Sequence, residues 1–116
     1  MDQPVTPDVA PALADLADQL GGPEAACEIV ALYLDELPGR LGRVTGSDLE
    51  EAVRGAHSLK SASGLVGLAD LSAASSALES ALRGAPTTPR PDLVAEVARH
   101  APPGRNALRA WLAGQG

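Results

Sequence analysis

The run Ala56-His57-Ser58-Leu59-Lys60-Ser61-Ala62-Ser63-Gly64-Leu65-Val66-Gly67-Leu68-Ala69-Asp70-Leu71 joins two helical patterns across a glycine. On its N-terminal side, Leu49, Ala52, Val53, Ala56 and Leu59 recur at helical spacing and mark a buried face over residues 48–66. Gly67 is a stop. Beyond it, Leu71, Ala74, Ser75, Leu78 and Leu82 give residues 68–83 an inward face of their own. Ser47 and Glu50 have the spacing of a capping box, which predicts where the first of these two helices starts. The pair reads as an antiparallel helical hairpin that turns near Leu68.

Such a hairpin puts His57 beside Glu79. Leu68 is the midpoint between them, so each lies roughly 16 Å along its helix from the turn, at about 1.5 Å per residue. Each also flanks the apolar stripe of its own helix, so the two are expected to meet at the rim, half in solvent. Lys60 follows His57 by one turn on the same face, and Gly64 by another. Ser76 and Ser72 come level with them on the facing helix. Small residues thus leave the imidazole open to a partner.

This set has a chemical reading. A carboxylate that accepts a hydrogen bond from one imidazole nitrogen fixes the tautomer and leaves a lone pair on the other. It also stabilises the positive charge that develops when the ring attacks an electrophile. A nearby lysine favours an electrophile that carries phosphoryl oxygens. His57 alone reads as a boundary residue, Lys60 as a solvated charge and Glu79 as a surface residue near a helix end. Their shared level points to a nucleophile, its orienter and a cation.

Outside the hairpin the pattern stays helical. Val9, Leu13, Leu16 and Leu20 form one short helix that ends at Gly21-Gly22. Pro23 and Glu24 open another, with a stripe of Cys27, Val30, Ala31, Leu34, Leu37, Leu41 and Val44. Pro38 predicts a kink or break in it. Residues 84–91 read as a loop. Leu93, Val94 and Val97 predict a short helix broken at Pro102-Pro103, and Leu108, Trp111 and Leu112 a last amphipathic piece. His100 falls at that break as a helix-end residue. Residues 1–7 read as a loose arm, and residues 8–116 as one all-α domain.

Composition narrows the function. The chain has 116 residues, 45% of them hydrophobic, and no Phe, which suits one core of closely packed helices. A net charge of -6 without a basic stripe argues against nucleic acid. No apolar run approaches the roughly 20 residues of a membrane span. The N-terminus lacks a signal-peptide pattern and Cys27 stands alone, so a cytoplasmic protein is expected. Cys27, His57 and His100 are scattered, and no G-x-x-x-x-G-K-[ST] loop occurs, so neither a metal site, another cofactor nor ATP binding is expected.

The motif Ala56-His57-Ser58-Leu59-Lys60-Ser61, followed by Gly64, Gly67-Leu68 and Leu78-Glu79, resembles the histidine-containing phosphotransfer (HPt) domain of multistep phosphorelays. Tyr33-Leu34-Asp35-Glu36-Leu37-Pro38 is similar to that family's second helix. The resemblance covers residues 24–84. It implies an antiparallel four-helix bundle with additional short helices at both ends. It implies His57 as phosphoacceptor, Lys60 beside the phosphoryl group and Glu79 on the imidazole. Many members have Gln at that last position, and Glu is more like the phosphoacceptor domain of chemotaxis kinases. Where the family has Gly after the Lys, this chain has Ser61 on the docking face with Gly64, Leu65, Ser72 and Ser76.

The partners so implied are a response-regulator receiver domain and a hybrid histidine kinase. Mg²⁺ would sit on the receiver, and this chain would be a monomeric, stoichiometric intermediate without autokinase activity. The alternative is a helical module that binds a kinase or receiver without being phosphorylated.

Overall fold

Five α-helices make up the computed structural model, which describes residues 5–84 and 90–115: α1 (Ala10–Leu20), α2 (Pro23–Thr45), α3 (Leu49–Leu65), α4 (Ala69–Arg83) and α5 (Arg90–Gln115). No strand occurs among the described residues. Helices α2 and α3 pack together, α3 on α4, α4 on α5, and α5 back on α2, while α1 lies on α2. The shared core holds Leu13, Leu16, Val30, Tyr33, Leu37, Leu59, Leu71, Leu78, Val97 and Leu108. No helix is long and apolar enough to cross a membrane among the described residues.

The α3–α4 turn forms where expected. Leu68 N–H donates to the Ser63 carbonyl at 2.8 Å and Gly67 N–H to that of Gly64 at 3.3 Å. That pair of bonds is a Schellman motif, which needs a left-handed residue between them. Gly67 supplies it with φ 87°. A Cβ on Gly67 would also stand 2.8 Å from that of Ala12, so α1 seats on the turn only because this residue is glycine.

Helix α3 starts one residue later than the capping box predicts. Asp48 is the N-cap, and its carboxylate accepts the N–H of Glu51 at 3.2 Å. Ser47 stays outside the helix, because a carboxylate caps and also meets the positive end of the helix dipole. Leu49, expected on the buried side, is then the first helical residue and is exposed. Ala31 is likewise exposed, and Tyr33 is the buried residue of that turn of α2.

The prolines break neither helix. Helix α2 runs through Pro38 and α5 through Pro102 and Pro103, so the two short C-terminal pieces are one helix of 26 residues. A proline inside a helix costs about 3 kcal/mol. Burying one Val or Leu returns about 1.5–3 kcal/mol, and core residues flank each proline: Tyr33, Leu37 and Val44 in α2, Val97, Ala101, Ala107 and Leu108 in α5. Pro38 and Pro102 face solvent. Gly104 lets α5 close on the turn, since a Cβ there would meet Leu68 Cδ1 at 2.9 Å. His100 therefore lies inside α5, its Nε2 3.5 Å from Glu96 Oε2, and not at a helix end. Residues 1–4 of the expected arm and 85–89 of the expected loop lie outside the described residues, and Arg90 and Pro91 already belong to α5.

Candidate functional site

The antiparallel register of α3 and α4 brings His57, Lys60 and Glu79 together. His57 Nδ1 lies 2.9 Å from Glu79 Oε2, and Lys60 Nζ lies 3.9 Å from Oε1 of the same carboxylate. Ser72 Oγ donates to the Lys60 carbonyl at 2.8 Å, which pins the two helices at this level.

The pair is not symmetric at the rim as the sequence predicts. His57 keeps 59% of its side chain exposed, whereas Glu79 keeps 10%. Arg83, one turn after Glu79, lies against that carboxylate, with Nε and Nη2 reaching Oε2 at 3.1 and 3.0 Å. Burial alone would raise the Glu79 pKa, but the hydrogen bonds from His57 and Arg83, with the positive charge of Arg83 and of His57 when its ring is protonated, carry it below the ordinary carboxylate value. Glu79 is therefore ionised at neutral pH and can only accept, so the imidazole proton sits on Nδ1. In the neutral ring the lone pair is then on Nε2, and the ring is largely in solvent.

Of the remaining residues named from sequence, Ser61, Gly64 and Leu65 are exposed on α3, and Ser72 and Ser76 are half-buried on α4. A Cβ on Gly64 would meet Ser72, its hydroxyl at 3.3 Å and its Cβ at 3.9 Å. Two contributors escape the motif. Arg83 carries a signal in the Glu79–Arg83 spacing, which is that of a helical ion pair. Arg40 has none: it crosses from α2 to put its Nε at 2.7 Å from the Oγ of Ser58, the residue that follows His57 in sequence. Leu32 on α2 and Leu65 on α3, 54% and 49% exposed, flank an apolar groove of about 150 Å³ that Ile29 and Ala62 also line.

In chemical terms, this is an exposed imidazole on a helix, hydrogen-bonded to a buried carboxylate, with a lysine one turn away, an arrangement that can serve a nitrogen nucleophile. The family model described as Hpt domain matches residues 28–113, which is more than half of the chain and includes every residue of this site. The match extends through most of α5, further than the motif resemblance reaches, and leaves out α1. No curated protein and no solved structure gives a significant match.

Proposed function

The chain belongs to the Hpt domain family, whose members take part in phosphorelay signalling, and on that premise we propose that it carries a phosphoryl group on His57 and exchanges it with the aspartate of a receiver domain. The observation that carries this reading is the 2.9 Å contact between His57 Nδ1 and the buried Glu79 carboxylate, with the imidazole itself exposed. The ring of α2, α3, α4 and α5 is the antiparallel four-helix bundle in this reading, and α1 is the addition.

The transfer follows from the tautomer. The Nε2 lone pair attacks the phosphorus of the receiver's aspartyl phosphate. An N–P bond forms as the acyl O–P bond breaks, and the aspartate leaves as its carboxylate. Nδ1 keeps its proton, so the ring gains positive charge, and Glu79 faces that charge. Lys60 turns from Glu79 to the phosphoryl oxygens. The Mg²⁺ of the reaction belongs to the receiver. The exposed surface of Ser61, Gly64, Leu65, Ser72 and Ser76, continued by Leu32, is the docking face. The protein acts stoichiometrically, as a cytoplasmic monomer, on phosphoryl groups that a hybrid kinase and receivers supply.

The test is to mix the protein with phosphorylated receiver domains and follow the label. Acid-labile phosphate on the wild type and none on His57→Gln is the expected result. Label that survives His57→Gln would overturn the proposal, and receiver binding without any transfer would favour a purely regulatory interaction module.

A further inference from the structure

Glu79 Oε2 accepts from two side chains at once. His57 Nδ1 lies 2.9 Å from it, and the Arg83 guanidinium reaches it through Nε at 3.1 Å and Nη2 at 3.0 Å. Glu79 is almost enclosed, while Arg83 is 59% exposed and sits in the last turn of α4, where the helix dipole favours a cation. We infer that Arg83 is a positioning residue that holds the Glu79 carboxylate toward His57 and, by sharing that carboxylate's charge, opposes the addition of a second proton to the imidazole.

The reasoning is electrostatic. A buried carboxylate facing only an imidazole draws a second proton onto the ring, because the ion pair is favoured over a buried charge beside a neutral group. The imidazolium so formed has no lone pair and cannot attack phosphorus. Arg83 already supplies the positive partner. A charged His57 would then share one oxygen atom with a guanidinium, and the repulsion between two cations that close opposes protonation. Lys60 of α3, 3.9 Å from Oε1, adds to this repulsion. From α2, Arg40 is held by Ser58 and ion-paired with Glu36 at 3.2 Å, so its charge is matched on its own helix. Glu79 keeps its hydrogen bond to Nδ1, so the ring stays oriented.

This inference rests on the reading of His57 as phosphoacceptor for its purpose, but its test does not. Wild type, Arg83→Gln and Arg83→Lys are compared by NMR titration of the His57 ring. Gln removes the charge and keeps an amide donor, while Lys keeps the charge. The His57 midpoint is expected to rise by about one pH unit in Arg83→Gln and to stay near wild type in Arg83→Lys. The acid limb of the rate of labelling by phosphoramidate, a small phosphoryl donor, should move up by the same amount in Arg83→Gln. A His57 midpoint that is unchanged or lower in Arg83→Gln would overturn the inference. A shifted midpoint in a protein that never takes label would support the coupling and overturn the phosphoacceptor reading instead.

Discussion

Helix α3 makes a polar contact on each of its two flanks, and the two contacts have opposite fates. Toward α2, the Tyr33 and Ser63 hydroxyls meet at 2.8 Å with both residues buried. Toward α4, His57 meets Glu79 at 2.9 Å with only the glutamate buried. Each arises from the antiparallel register of its own helix pair. A sealed hydrogen bond can only hold helices together, whereas one with an exposed member can hold a reactive group in place and still present it. The Tyr33–Ser63 contact is therefore closed to solvent, and the His57–Glu79 contact presents its imidazole to it.

The glycines of α3 give the sharpest way to break this contrast. A Cβ on Gly55 would stand 2.8 Å from Arg43 Cβ and 3.2 Å from the Arg40 carbonyl, so the α2–α3 seam has no room. Gly55→Leu is expected to destabilise by up to about 3 kcal/mol. Gly64→Ala, whose Cβ would stand 3.3 Å from the Ser72 hydroxyl and so ask for a shift of only a few tenths of an ångström, should stay within about 1 kcal/mol. Urea unfolding of both variants checks this, and equal losses would erase the difference between the seams.

Removing one hydroxyl or one carboxylate should separate stability from chemistry. Tyr33→Phe leaves the Ser63 hydroxyl buried without its partner and should cost about 1–2 kcal/mol while leaving phosphotransfer unchanged. Glu79→Ala should slow phosphotransfer at least about tenfold. Its cost in stability should be within about 1 kcal/mol, because His57 and Arg83 are both exposed enough to turn to water. Stopped transfer kinetics and urea midpoints on the same two variants test the assignment.

The smallest effect is on pH. Glu79 is held below its ordinary value, so the stability it contributes is full above the unfolded carboxylate's pKa, about 4.3, and is lost as pH falls through the lower folded value. Burial pushes the Tyr33 phenol above its ordinary 10.0, despite the Ser63 hydrogen bond and the nearby Arg40 charge. Its contribution is full below that ordinary value and is lost as pH rises through the raised one. Glu79→Gln should therefore flatten the acid limb of the stability profile, and Tyr33→Phe the alkaline limb.

Periodicity and one glycine were enough to read the hairpin, and the hairpin was enough to level His57 with Glu79. What stayed hidden depended on competition between distant groups. Pro38 and Pro102-Pro103 announce breaks locally, but the buried residues on either side outweigh them. Ser47 and Glu50 match a box by spacing, yet the Asp48 carboxylate caps the helix. The depth of Glu79 could not be read from its place beside Leu78, because the packed α3–α4 seam sets it. Arg40 reaches Ser58 from a helix whose register with α3 no local pattern encodes.

The central claim is that Glu79 fixes the proton of His57 on Nδ1 and so directs chemistry to Nε2. Phosphorus–nitrogen couplings in the phosphorylated, ¹⁵N-labelled protein read this directly. Phosphorus bonded to Nε2 of His57 is the predicted result; phosphorus on Nδ1, or on His100, would contradict it.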